Sequence, residues 1–132
     1  METVEFKYGS KTLHLFMSAE AMFRIQALSV DPEGPEILDL IVENSPAGSI
    51  ALCQVAQILA ESGELSRRYL GYSKERIPTV DELQQLLSPM QQLQLRITVV
   101  KTINSGYQDN SSNPDPGDID LGLLELEKKT KL

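Results

Sequence analysis

The chain contains very little of the material from which catalytic and metal sites are usually built. Its 132 residues include one histidine, one cysteine and no tryptophan. A structural zinc site needs several convergent nitrogen or sulfur ligands, and nucleophilic catalysis needs a base beside the nucleophile. None of the eight glycines forms a phosphate-binding motif of the GxGxxG or GxxxxGK[ST] type. The sequence therefore predicts a protein that is not an enzyme, with no catalytic residues, cofactor or metal ligands.

Long apolar runs and a leader segment are also missing. No run approaches the roughly 18 apolar residues that span a bilayer. The first residues, METVE, lack the basic and apolar parts of a signal peptide. The single cysteine, Cys53, cannot form an internal disulfide, and its apolar neighbours predict a small core side chain. These features favour a cytoplasmic protein without a membrane anchor.

Acidic residues outnumber basic ones by 19 to 12, which gives a net charge of −7. Because this charge repels a phosphate backbone, it disfavours nucleic acid as a partner. One short region nevertheless combines arginine with tyrosine. Both residue types are enriched at protein interfaces, and both also bind single-stranded nucleic acid. We interpret the following residues as candidate protein contacts, with nucleic-acid binding as the alternative: Arg67, Arg68, Tyr69, Tyr72 and Arg76.

Residues 4–16 have the pattern of a β-hairpin. Gly9 and Ser10 suit a two-residue type II′ turn, in which the glycine takes a positive φ. In the register that this turn sets, five apolar side chains lie on one face of the hairpin: Val4, Phe6, Tyr8, Leu13 and Leu15. On the other face we expect His14 and Glu5 to form a solvated cross-strand pair. Since two strands alone are marginally stable, the apolar face must meet helices, further strands or another copy of the chain.

Helical periodicity begins after the hairpin. The start signals are, in order, Ser18, Pro35, the cap-plus-proline sequence Asn44-Ser45-Pro46, and the capping boxes at Thr79 and Ser88. They predict about five short helices between residues 18 and 105. Gly63 is predicted to stop the third of these helices, which covers residues 47–62.

The last predicted helix has a second regularity. Met90, Leu93, Ile97 and Val100 are spaced by three, four and three residues, which is the seam pattern of one helix against another. The pattern covers fewer than two heptads, so we expect ordinary core packing rather than a coiled coil.

The composition changes after Gly106. Residues 107–127 carry six acids and no base, with many proline, glycine, serine and asparagine residues. Apolar residues return only at 119–126, as in a short segment that folds on a partner. The sequence thus predicts an α+β fold, in which an N-terminal β-hairpin packs on a mostly helical body. It further predicts that residues 1–106 form one compact domain and that residues 107–132 form a flexible, disordered acidic tail.

This arrangement resembles the tail assembly chaperones of long-tailed (siphovirus-type) bacteriophages and prophages. The resemblance is carried by FKYGSKTLHL at 6–15, SAEAM at 18–22 and IPTVDEL at 77–83, within residues 1–105. It implies a non-enzymatic protein of the host bacterial cytoplasm that binds the tape measure protein and keeps it soluble during tail assembly. It also implies a longer, frameshifted form of the chain as a partner. The free edge of the hairpin separately favours a homo-oligomer.

Two other functions fit the same sequence. One is a small nucleic-acid-binding regulator that uses residues 67–76. The other is a structural tail completion or connector protein, which would be present in mature particles. For a chaperone, we expect the exposed sides of the hairpin and of the late helices, with Tyr69 and Tyr72 nearby, to contact the client or sister subunits.

Overall fold

The computed structural model describes residues 3–29, 33–34, 36–73 and 75–107. Within these ranges a two-stranded antiparallel sheet precedes five helices, which confirms the α+β class. The strands are β1 (Val4–Tyr8) and β2 (Lys11–Leu15), and the helices are α1 (Ala19–Gln26), α2 (Ile37–Leu40), α3 (Pro46–Tyr69), α4 (Val80–Leu86) and α5 (Pro89–Tyr107). Helix α3 is longer than expected, with 24 residues, and α5 has 19. Pro35 and nearly all of the predicted tail lie outside the described residues.

The hairpin has the predicted register. All five predicted pairs are present, from Tyr8 with Lys11 at the turn to Val4 with Leu15 at the open end. Gly9 has a φ of +58°, and no non-glycine residue described has a positive φ, as a type II′ turn requires. The buried side chains of the sheet are Phe6, Tyr8, Leu13 and Leu15. This face is covered by helices, because β2 contacts α3 and β1 contacts α5.

Helix α3 is the central element, and it contacts β2 and the four other helices. It starts as predicted, because the Oγ of Ser45 accepts the N–H of Gly48 at 3.0 Å. The predicted end was wrong, since the helix continues through Gly63 to Tyr69. A Cβ at Gly63 would overlap the backbone carbonyl oxygen of His14 in β2. The glycine is therefore needed for close approach of helix to strand, which outweighs its cost of about 1 kcal/mol inside a helix.

The other predicted helix starts are confirmed where the structure describes them. The Oγ of Ser18 accepts the N–H of Ala21 at 3.0 Å at the start of the eight-residue α1. Thr79 forms its capping box at the start of α4. Ser88 and Gln91 form the second box, with reciprocal hydrogen bonds of 2.9 and 3.1 Å. Local side-chain chemistry thus fixes where these helices begin.

Helix α5 is buried on the side opposite to the predicted seam. Leu95 and Val99 are fully buried against the core, whereas Met90, Leu93 and Ile97 are exposed. The expectation that this seam packs in the core was therefore wrong for these three residues, whereas the fourth, Val100, is partly buried against the core. Both sides of α5 are apolar, and three-four spacing alone does not tell which side meets the core.

Candidate protein-contact surfaces

The late helices carry an apolar stripe on their solvent side. It consists of Leu86 at the end of α4 and Met90, Leu93 and Ile97 in α5, with exposed fractions of 59, 62, 44 and 61%. Within α5, the spacing of three and four residues places Met90, Leu93 and Ile97 on one side of the helix. Leu86 ends the preceding helix, and the extended residue Leu87 separates it from α5. Isolated exposed apolar residues are normal in proteins, but several large ones on successive turns of one helix mark a surface for interaction.

Specific hydrogen bonds fix the rotation of α5 that turns the stripe outward. The Nε2 of Gln92 donates to the Oγ of Ser49 in α3. One turn later, the Nε of Arg96 donates to the carbonyl oxygen of Ile41 at 2.8 Å. Gln84 in α4 donates to the same Ser49 oxygen at 2.7 Å. These contacts hold other sides of α4 and α5 against α3 and the end of α2, so the stripe residues face the solvent.

A second apolar surface, here named the tyrosine patch, follows the end of α3. It consists of Leu65, Tyr69, Leu70 and Tyr72. Tyr69 is 80% exposed and Tyr72 is 60% exposed. The start of α5 lies beside Ser49, and 20 residues of α3 separate Ser49 from Tyr69. At 1.5 Å per residue this is about 30 Å, so the stripe and the patch are two distinct surfaces.

Two of the three arginines in the predicted contact cluster have carboxylate partners, Arg67 in a partly buried pair and Arg76 in a pair at the surface, where its side chain is 67% exposed. The Nη1 of Arg67 donates to both carboxylate oxygens of Glu64, at 3.0 and 3.3 Å, and its guanidinium lies 5.2 Å from the ring centre of Tyr72. Arg76 bonds to Glu82, and this hydrogen bond raises the pKa of Arg76 and lowers that of Glu82. Both arginines thus have carboxylates as partners. Arg68, Tyr69 and Tyr72 are exposed.

A polar cluster forms where α3 crosses the hairpin. Glu64 is 4% exposed, and its Oε1 accepts the backbone N–H of Glu75 at 2.9 Å in addition to the bond from Arg67. His14 lies 3.8 Å from Glu75 through its Nε2. The expectation of a solvated His14 pair was wrong, because α3 and the loop before α4 cover this part of the sheet and His14 is only 13% exposed. The Cα register of His14 with Glu5 is as predicted.

Three members of this cluster could hold a metal ion by distance alone. His14, Glu64 and Glu75 each offer one ligand atom, and these atoms lie within 4.8 Å of one another. However, the carboxylate of Glu64 already accepts from the positive guanidinium of Arg67, which disfavours a cation at the same oxygens. We interpret the cluster as structural, since it ties the loop to α3. Sequence reasoning missed it because its members are far apart along the chain.

Cys53 lies in the middle of the core, as predicted. Its side chain is fully buried, and burial raises the pKa of the thiol. The Nε2 of Gln84 lies 3.3 Å from the sulfur and partly opposes this effect. A thiol with a raised pKa carries little thiolate, which is the nucleophilic form. Cys53 therefore fills space between α3 and α4.

A shallow groove runs beside the end of α5. Its lining includes Met17, Met22, Ile37, Leu38 and Tyr107. The lining is mainly apolar, and no pair of catalytic groups converges on it among the residues that the structure describes. The groove adds a further apolar surface beside Tyr107, where the described chain ends.

No known relative was found. Comparison with protein families gave no matching family model, and neither a curated protein nor a solved structure matched the chain. In the described parts of the chain, none of the helices combines the length and the apolar character needed to cross a membrane.

Proposed function

We propose that the protein is a non-enzymatic chaperone of phage tail assembly that binds the tape measure protein in the host bacterial cytoplasm. The observation that carries this proposal is the apolar stripe. A chaperone for a long, aggregation-prone client must offer apolar surface to it, and the stripe offers four large side chains that the fold does not use.

The chemistry of the stripe suits a helical client. Its three-four spacing is the pattern by which one helix packs against another. Leucine and methionine dominate it, and the flexible thioether of Met90 adapts to partners of different shape. Such a surface binds many apolar helical segments with modest sequence preference. This property fits a client that presents repeated helical segments.

The charges of the protein support a protein client more than a nucleic acid. The net charge of −7 keeps a complex with an apolar client soluble. Arg67 and Arg76, which would have to bind phosphate in a nucleic-acid regulator, are bonded to Glu64 and Glu82. Releasing either arginine would leave its carboxylate partner without that bond.

The deciding experiment is co-expression with the neighbouring tail genes, with an N-terminal tag and the native gene end intact. We expect the tagged chain to retain the tape measure protein in the soluble fraction, together with a longer frameshifted product. A stripe variant, Leu93→Gln with Ile97→Gln, should lose the client. The matched control, Gln85→Ala with Gln94→Ala, changes exposed polar positions of the same helices and should keep it.

Different failures point to different functions. A client that stays soluble with the stripe variant would show that another surface binds it. Absence of any client with the wild-type chain would contradict the chaperone proposal. Presence of the chain in purified mature particles would favour a tail completion or connector protein. Salt-dependent binding of DNA or RNA would favour the regulator.

A further inference from the structure

We propose that residues 119–126 of this chain bind the apolar stripe within the same molecule, so that they and a client compete for one surface. Only the competition rests on the proposed function. The intramolecular contact itself needs no client and can be measured without one.

The sequence after α5 contains one segment with the composition to cover the stripe. Residues 108–118 include no aliphatic or aromatic residue. The apolar side chains appear together in the next eight positions: Ile119, Leu121, Leu123, Leu124 and Leu126. These five large aliphatic residues are similar in kind to the four large apolar residues of the stripe. Burying both sets removes apolar surface from water at once.

Charge favours this segment over a second copy of the chain. Helix α5 contains Arg96 and Lys101 and no acidic residue, and Lys101 is exposed one turn beyond Ile97. Two α5 helices packed stripe to stripe in parallel would bring their Lys101 side chains together, whereas Arg96 is bonded to Ile41 away from the stripe. In contrast, residues 118–127 carry acidic charges only, at Asp118, Asp120, Glu125 and Glu127, and the lysines of the chain end follow at 128, 129 and 131. The segment is therefore complementary in charge as well as in hydrophobicity.

The connection is long enough for this contact. The described chain ends at Tyr107, the last residue of α5, and Ile119 follows 12 positions later. Twelve residues reach at most about 40 Å. Within α5 the stripe residue farthest from the chain end is Met90, 17 residues before Tyr107, which is about 26 Å along the helix. Because the segment is tethered, its local concentration at the stripe is on the order of millimolar.

Disulfide trapping in the full chain tests the contact. The test variant is Leu93→Cys with Leu123→Cys, and the control is Phe23→Cys with Leu123→Cys, since Phe23 is exposed on α1 outside the stripe. The native Cys53 is fully buried and does not compete. With oxidised glutathione and dilute protein, we expect the intramolecular disulfide of the test variant to form roughly tenfold faster than that of the control. Intact-mass measurement distinguishes it from a linked dimer.

A charge variant gives a second readout. Adding Asp120→Asn and Glu125→Gln to the test variant should slow trapping roughly threefold at low salt, and high salt should remove this difference. Equal trapping rates in the test and control variants would overturn the proposal. So would a disulfide-linked dimer whose yield rises with protein concentration, because the occupant would then be a second copy.

The competition is tested separately. In co-expression, Leu121→Asn with Leu123→Asn should increase the recovery of client, because the stripe is then free. Unchanged recovery would contradict the competition. If the disulfide forms selectively but co-expression recovers no client, the proposed function is refuted and the intramolecular contact stands. Client binding through the stripe without selective trapping would refute the contact alone.

Discussion

Glu64 joins three parts of the chain through one buried carboxylate. It accepts from Arg67 in its own helix and from the backbone N–H of Glu75 in the loop before α4, and it lies beside His14 of the hairpin. At the scale of single residues, this carboxylate therefore holds a loop that has few buried side chains of its own. A hydrogen bond to a charged group contributes about 2 kcal/mol, well above a surface ion pair.

Glu64→Gln should lower the free energy of unfolding by about 2 kcal/mol, because the amide keeps the shape but loses the charge that faces Arg67. Glu61→Gln on the same helix is the matched control. Its partner is Arg24 at the surface, and its loss should cost about 0.5 kcal/mol. Urea unfolding of the three proteins measures both values. Equal losses in the two variants would contradict the role of burial.

The Arg76–Glu82 pair should make a pH-dependent contribution to stability. The hydrogen bond from Arg76 lowers the pKa of Glu82 below its ordinary value of 4.5. A carboxyl whose pKa is lowered by folding stabilises the fold above its ordinary pKa, and this contribution is lost as the pH falls through the lowered pKa. In Arg76→Met, the pKa of Glu82 should return toward 4.5, as NMR titration of its side chain would measure. The unfolding free energies of the two proteins should then converge at acid pH.

The same substitution should destabilise the protein much more on the buried side of α5 than on the exposed side. Leu95 is fully buried, and Leu93, two residues earlier, is 44% exposed. Leu95→Ala should cost about 3 kcal/mol of unfolding free energy, because it leaves a cavity, whereas Leu93→Ala should cost less than about 1 kcal/mol. Thermal and urea unfolding provide the measurement. A large loss in Leu93→Ala would mean that the fold, rather than a partner, uses the stripe.

At the scale of elements, signals confined to a few residues predicted the structure well. The hairpin register and the caps at Ser18, Ser45, Thr79 and Ser88 were confirmed, since each is fixed by a turn or by a hydrogen bond over three residues. Tertiary packing decided what could not be predicted. The role of Gly63 depends on a strand far away in the sequence, and the exposed side of α5 depends on bonds to Ser49 and Ile41. The arginine and tyrosine cluster could be located from sequence, but the carboxylate partners of Arg67 and Arg76 could not.

At the scale of the whole molecule, the net charge and the pairing of the arginines with carboxylates both disfavour binding of nucleic acid. The chain carries −7, and two of its clustered arginines have carboxylate partners. We therefore expect no salt-dependent binding of DNA or RNA at micromolar protein, as fluorescence anisotropy with labelled oligonucleotides would measure. Binding that weakens with salt, and that Arg68→Ala reduces, would contradict this expectation.

The position of α3 also limits how the sheet can grow. His14 belongs to a pair whose backbone groups point away from the partner strand, and its carbonyl faces Gly63 of the crossing helix. The outer edge of β2 is thus occupied by the chain itself, and β1 carries the remaining edge, with charged side chains at Glu5 and Lys7. A sheet with one usable edge adds one foreign strand and then stops. Strand-to-strand association between copies would close as a two-fold pair rather than extend into a fibre.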